Sequence, residues 1–347
     1  MSEAAQDARG RAPRWRRVVL ALAGAVLLAA GAATAWVAWA LAPADRSAGS
    51  TRLDVLHGDS LWKIARALER DGVVRDARAM VWLARWRGVD TGMRAGEYAV
   101  SASWGTARVL EHLVSGRVIT YEVVLPEGLT AVEIAARLAE QGLVRPDEFV
   151  ALVRDPASAS RFGVEGPGLE GYLFPETYRM PHGLSAQQVA KILVDEFLER
   201  WRPLEAAAQQ RGFGMRQTVT LASIVEKETG VASERPLVAS VFWNRLRRGM
   251  RLESDPTTIY GIADFDGNLT RAHLEDASNP FNTYRIAGLP PSPIANPGEA
   301  SLAAVVHPAE SDYLFFVAQG DGAHVFARSF EEHNANVNRY QRRRSSR

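Results

Sequence analysis

The sequence predicts an α+β protein in three parts: an N-terminal apolar helix long enough to cross a membrane, a small α+β unit, and a mixed α/β domain built around a central carboxylate-bearing helix. Three observations predict this. Residues 18–42 contain no charged side chain. Two later segments match at a constant offset of 70 residues. Beyond residue 186, long helical stretches alternate with loops rich in proline and asparagine. The 347 residues, 47% of them hydrophobic, suffice for about two folded units.

The apolar run comes first. Its 25 residues exceed the roughly 20 that a helix needs to span a bilayer. Trp36 and Trp39 lie near its far end, where interfacial aromatics are favoured, and Arg14, Arg16 and Arg17 abut its near end. The positive-inside rule then places residues 1–17 in the cytoplasm, and the chain from residue 43 onward outside it. A signal peptide cleaved after Ala40-Leu41-Ala42 is the competing reading. It is disfavoured because the run is longer than the ~7–15 residues of such a region and Pro43 would follow the cut. Residues 43–51 read as a linker.

The repeat comes next. Gly58, Ser60, Ile64, Ala65, Leu68, Gly72, Val74 and Arg75 match Gly128, Thr130, Ile134, Ala135, Leu138, Gly142, Val144 and Arg145 without a gap. Each copy reads as a strand (Leu53 and Val55, or Val123 and Leu125), a glycine turn and an amphipathic helix. Thr130 and Glu133 form a capping box, and Gly72 and Gly142 fit the position just past a helix end. Between the copies, Glu97–Val100 and Val109–Leu113 supply a further strand and helix. The run Leu53, Val55, Gly58-Asp59-Ser60-Leu61, Ile64-Ala65 resembles a LysM module, without the closing Asn of that motif. The resemblance implies binding of N-acetylglucosamine polymers; a plain spacer scaffold reads equally well. Ser60-Leu61-Trp62-Lys63 also fits a Ser-x-x-Lys acylation motif, but neither Lys191 nor Lys227 begins the Lys-Thr-Gly element that chemistry needs.

A helical stretch over 186–210 precedes the helix 217–229, which is expected to end at Gly230. At ~100° per residue, Leu221, Ile224, Val225 and Glu228 share one stripe, while Glu226 and Lys227 point elsewhere. A carboxyl among apolar neighbours at a helix C-terminus has its proton affinity raised by desolvation and by the helix dipole. That suits a general acid at neutral pH. A buried Glu paired with Arg235 or Arg245 is the alternative. Another amphipathic helix, 234–248, follows, with Ser233 as cap, Val238, Val241, Phe242 and Leu246 as its buried face, and Gly249 as its stop. The segments around Ser254-Asp255-Pro256-Thr257, Asn282-Thr283-Tyr284, Pro290-Pro291 and Asn296-Pro297-Gly298 read as ordered loops. Their hydroxyl, amide and aromatic groups suit a carbohydrate groove, and equally suit ordinary loops.

Other chemistries are excluded by composition. There is no cysteine, hence no disulfide, thiolate nucleophile or iron–sulfur ligand. The seven histidines (57, 112, 182, 273, 307, 324 and 333) contain no His-x-x-x-His pair, and no metal or cofactor is expected. The net charge of +1 conceals termini of +3 (1–17) and +5 (339–347) around a body of −7, so nucleic acid is not a partner. Arg342-Arg343-Arg344 reads as a solvated tail. Only 3 of the 41 basic residues are lysine, which fits a coding bias.

Several long motifs together resemble one family. They are Ala222-Ser223-Ile224-Val225-Glu226-Lys227-Glu228-Thr229, Val241-Phe242, Asn244-Arg245-Leu246, Ser254-Asp255-Pro256-Thr257, Ile259-Tyr260-Gly261, Asn282-Thr283-Tyr284, Gly288-Leu289-Pro290-Pro291, Pro297-Gly298 and His307-Pro308-Ala309, with Leu169-Glu170-Gly171-Tyr172-Leu173-Phe174-Pro175 upstream. On these residues the chain resembles the YceG-like family. The resemblance implies an endolytic lytic transglycosylase of peptidoglycan in the inner membrane, with its catalytic part periplasmic. It also implies Glu228 as the single catalytic residue, and peptidoglycan synthases as partners. Asp255, Tyr260, Asn282 and Tyr284 are candidate substrate contacts. The expected division is a tail 1–17, a span 18–42, a linker 43–51, a LysM-like unit 52–121, a second copy with its connection 122–185, a catalytic domain 186–340 and a tail 341–347. A tethered, non-catalytic glycan-binding scaffold is the rival from another class. A hydrolytic muramidase, with Asp255 or Glu253 as second carboxylate, is the rival among enzymes.

Overall fold

The computed structural model describes residues 14–56, 58–320 and 322–342. His57, most of the N-terminal tail, and Arg343 and Arg344 of the basic tail lie outside the described residues. The chain divides into two compact units, Met1–Ile119 and Thr120–Arg347.

The first unit opens with α1 (Arg14–Leu41), whose Val18–Leu41 portion has a mean hydropathy of 2.3 and is largely uncovered by protein up to its last residues, where Ala40 is buried. By length and composition it can cross a membrane. Then come β1 (Ser50–Val55), α2 (Leu61–Arg70), α3 (Ala77–Trp86), β2 (Gly96–Ser101) and α4 (Thr106–Val114). β1 and β2 pair antiparallel, with Leu53 opposite Tyr98. Leu53, Val55, Ile64, Leu68, Met80, Tyr98, Leu110 and Leu113 belong to one core.

The second unit repeats this start. β3 (Tyr121–Val124), α5 (Ala131–Glu140), α6 (Pro146–Arg154), α7 (Pro156–Phe162) and β4 (Thr177–Met180) follow in order, with β3 and β4 antiparallel. The matched positions have matched geometry. Gly72 and Gly142 sit at φ +69° and +67°. After each, the next amide bonds the carbonyl five residues back, Val73 to Leu68 and Leu143 to Leu138, closing both helices with a Schellman turn. The Thr130–Glu133 capping box forms as expected.

The rest of the unit is α8 (Ala186–Trp201), α9 (Glu205–Gln210), α10 (Met215–Glu228), a 3-10 turn (Ala232–Glu234), α11 (Arg235–Arg247), α12 (Asp255–Tyr260), α13 (Arg271–Glu275), α14 (Glu299–Val306), the hairpin β5 (Phe315–Ala318) and β6 (His324–Ala327), and α15 (Phe330–Val337). The helix expected over 186–210 is two helices, because Pro203 lacks the amide that would continue it. Ser233 does not cap α11. It lies in the 3-10 turn, and Glu234 occupies the cap position without a side-chain bond. Asp255–Tyr260, read as loop, is a short helix begun by Pro256. Gly230 does not terminate α10 in a left-handed conformation. The helix stops at Glu228, and Gly230 is small because the carbonyl oxygen of Gly322 would lie 2.9 Å from a Cβ there.

Candidate active site

α10 is enclosed over two full turns. Every residue from Thr218 to Val225 is buried, and α11, α12 and α14 pack on it. Its hydroxyls are absorbed locally. Thr218 donates to the Gly214 carbonyl at 2.9 Å, Thr220 to that of Arg216 at 2.7 Å, and Ser223 to that of Thr220 at 2.7 Å. Ser223 also accepts the Ile294 amide at 3.1 Å. The buried surface therefore exceeds the apolar stripe. Polar residues that can bond back to their own helix need no water.

At the end of this helix stand two carboxylates with different surroundings. Glu226 has a side chain only 6% exposed, and Arg235 Nη2 bonds it at 3.0 Å and Glu127 at 3.1 Å. Glu226 also accepts the Gly298 amide at 3.0 Å, and Lys227 reaches the Gly128 carbonyl at 3.2 Å. These two side chains tie the helix end to the neighbouring loops.

Glu228, the last helical residue, accepts a hydrogen bond from the buried Ser254 hydroxyl at 2.6 Å on Oε1. Burial pushes its pKa above the ordinary carboxyl value. The Ser254 bond opposes that shift, the charge of Asp255 adds to it, and the charges of His324 and Arg245 oppose it. Neither arginine proposed as its partner bonds it. Arg235 is taken by Glu226 and Glu127. Arg245 bonds Glu253 at 3.0 Å and the carbonyls of Arg251, Leu252 and Leu314. That ring of bonds holds residues 251–253 in place, with Glu253 in the left-handed region at φ 53°. Ser254 is thereby delivered beneath Glu228.

Asp255 follows Ser254 and is exposed, and Tyr284 donates to its Oδ1 at 2.7 Å. Burial, the bond to Asp255 and the charges of Asp255 and Glu228 all raise the Tyr284 pKa, so its hydroxyl stays protonated. The structure thus brings Glu228, Asp255 and Tyr284 together. It places two other candidates elsewhere. Asn282 is fully buried: its amide donates to the carbonyls of His273, Leu274 and Asp276, while its oxygen accepts from Thr258 and from the Tyr284 amide. All its capacity is spent on shaping the loop that carries Tyr284. Tyr260 turns to Glu170, donating at 3.1 Å, and lines a cleft of about 470 Å³ whose lining does not include Glu228. Burial raises Glu170 to about 7.

One pair near Glu228 is not among the site residues expected from the sequence, although Glu234 lies in a further stretch that resembles the family, Val231-Ala232-Ser233-Glu234-Arg235. His324, on β6, donates its amide to Glu234 at 3.0 Å, and its ring Nδ1 lies 2.8 Å from the same carboxylate. Its ring meets Phe316 edge-on at 5.3 Å. Glu234 and His324 are 90 residues apart, and each is ordinary in its own segment. A site consisting of a desolvated carboxyl, a hydroxyl under it and a carboxylate–tyrosine pair beside it can donate a proton to a bound oxygen and take one back.

Comparison with known proteins agrees with the motifs. An endolytic murein transglycosylase of Bacillus subtilis is 28% identical over 317 residues, covering 86% of this chain and 88% of its own. The endolytic murein transglycosylase of Streptococcus pneumoniae strain D39 is also 28% identical, over 81% of this chain, and the match spans 56% of that longer protein. The crystal structure of a YceG-like protein from Listeria monocytogenes superposes with a TM-score of 0.57 at 30% identity, covering 83% of this chain and 99% of that one. The model of the YceG-like family matches residues 53–339, and the chain belongs to that family.

Proposed function

We propose that this chain is a membrane-anchored endolytic lytic transglycosylase of peptidoglycan, with Glu228 as its one acid–base catalyst. The observation that carries the reading is Glu228 itself: desolvated, bonded by the Ser254 hydroxyl, and bonded by no guanidinium among the described residues. Its raised pKa keeps a proton available at a pH where free carboxyls have lost theirs.

Protonated Glu228 donates to the oxygen joining C1 of N-acetylmuramic acid to N-acetylglucosamine. The C1–O bond breaks, N-acetylglucosamine leaves with that proton as a hydroxyl, and an oxocarbenium-like charge develops at C1. The Glu228 carboxylate then takes the proton of the C6 hydroxyl on the same muramyl ring, and that oxygen bonds C1. The product is a 1,6-anhydromuramyl end, and no water is consumed. Asp255, its carboxylate pinned by Tyr284, offers an acceptor for sugar hydroxyls and negative charge near the developing cation. Asn282 contributes by holding the Tyr284 loop, and Tyr260 by fixing Glu170 in the neighbouring cleft. α1 anchors the chain in the cytoplasmic membrane with the catalytic unit on the far side, where nascent glycan strands are made. The LysM-like segments and an association with peptidoglycan synthases belong to the same reading.

Asp255 beside Glu228 favours a second reading, hydrolysis with two carboxylates. One digest separates them. Purified protein acting on glycan strands should leave ends lighter by one water than a hydrolase would, and Glu228→Gln should lose about 10²–10⁴-fold in rate while keeping its fold. Hydrated ends would assign the chain as a muramidase. Binding to sacculi without new ends, in the unaltered protein, would leave only a tethered scaffold.

A further inference from the structure

We propose that the outward face of α3, formed by Arg78, Trp82, Arg85 and Trp86, is a docking surface for anionic phospholipid headgroups, seating the first unit on the bilayer that α1 crosses. The inference rests on the membrane-anchored reading above and goes beyond it.

Seven of the nine tryptophans fall within residues 1–119. α3 buries Ala77, Met80, Val81, Leu83 and Ala84 in the core of its own unit. On the opposite face Trp82 is 57% exposed and Trp86 is 73% exposed. They stand one helical turn apart, with rings parallel within 5° and centroids 6.4 Å apart. Two large rings stacked in the open form an apolar patch that water does not favour. The same face is basic. α3 contains no acidic residue, and among the described residues Arg78 and Arg85 make no ion pair.

Two observations choose lipid as the occupant. The first is continuity with the apolar span. Thr106 donates to the Ala40 carbonyl at 3.2 Å, the Leu41 carbonyl closes against Gly105, and α3 and α4 pack against α1. The Arg75 guanidinium lies 5.6 Å from the centre of the Trp39 ring, and Arg75 immediately precedes the cap of α3. The end of the span and the beginning of α3 therefore meet within one unit, where a spanning helix leaves the hydrocarbon and enters the headgroup layer. The second is charge. Tryptophan prefers that layer, and unpaired arginines there meet phosphate. A neutral sugar could stack on the two rings, but it would leave both guanidinium groups without a counter-charge.

The absence of cysteine makes the test direct. Full-length chains carrying a single Trp82→Cys, Trp86→Cys, Thr51→Cys or Leu28→Cys substitution are labelled with the fluorophore NBD. They are placed in nanodiscs of phosphatidylglycerol and phosphatidylethanolamine. The proposal expects labels at 82 and 86 to be quenched by doxyl-labelled lipid and shielded from aqueous iodide, and the Thr51 label to behave oppositely. Arg78→Gln with Arg85→Gln should weaken the lipid quenching at 82. Lipid quenching at 28 with none at 82 or 86 overturns the proposal and leaves the anchor standing. No quenching at 28 overturns the anchor and the proposal with it. Shielding at 82 that appears only when soluble glycan strands are added assigns the face to sugar and overturns the proposal.

Discussion

At the scale of single residues, the chemistry depends on how one carboxyl is surrounded. Glu226 and Glu228 are two positions apart on one helix; the Glu226 side chain is buried and Glu228 is half-buried. Arg235 neutralises the first, whereas the second has a hydroxyl and a nearby negative charge. The sign of each influence gives a prediction. Cleavage needs protonated Glu228, so the rate falls as pH rises through its pKa. Asp255 raises that pKa, so Asp255→Asn should move the alkaline limb of kcat/KM to lower pH. Ser254 lowers it by stabilising the carboxylate, so Ser254→Ala should move the limb to higher pH. Counting anhydro ends across a pH series measures both. If the two variants shift the limb in the same direction, or not at all, the titrating group is not Glu228. Helical spacing alone put Glu228 on an apolar face. It could not supply Ser254, which reaches Glu228 across 26 residues, nor show that Arg235 belongs to Glu226.

At the scale of elements, loop residues fix where the helix ends point. Asn296 is fully buried. Its oxygen accepts the amides of Gly171 and Leu173, each at 2.9 Å, and its amide donates to the Leu129 carbonyl and to Glu170. Asn296→Ala leaves several buried backbone groups unpaired and should cost about 3 kcal/mol in urea unfolding. Gly171 is the tighter constraint, since its φ is +92° and a Cβ there would lie 2.5 Å from Pro293. Gly171→Ala should therefore cost about 2 kcal/mol or more, because a proline ring cannot swing aside. A Cβ at Gly298 would strike the Glu127 carboxylate, the far end of a side chain that can move, so Gly298→Ala should cost less. Equal losses at 171 and 298 would refute this distinction. The sequence marked these segments as ordered, because proline, glycine and asparagine have few conformational uses. It did not disclose α12, because a helix of six residues carries too short a pattern to separate from a loop. Nor did it disclose that Asn282 faces inward, because a buried amide and a sugar-binding amide are the same residue until its partners are known.

At the scale of the whole molecule, the 70-residue repeat was the most legible feature, since strand, glycine turn and helix recur in both copies with matching φ angles. What the repeat could not announce is that its two copies serve different cores. Leu68 belongs to the core of the first unit, and Leu138, at the matching position, belongs to the core of the second. Each is fully buried, so truncation to alanine at either should cost about 2–5 kcal/mol. With separate cores, that loss should stay within one unit. Leu68→Ala should speed backbone amide exchange across residues 50–119 and leave α10 and its surroundings protected as before. Leu138→Ala should do the reverse, loosening the unit that holds Glu228 and lowering cleavage at temperatures where the first variant is unaffected. Hydrogen exchange read by mass spectrometry resolves the two regions. If Leu68→Ala deprotects α10 as strongly as its own unit, the chain has one cooperative core, and the two halves of the repeat cannot be altered independently.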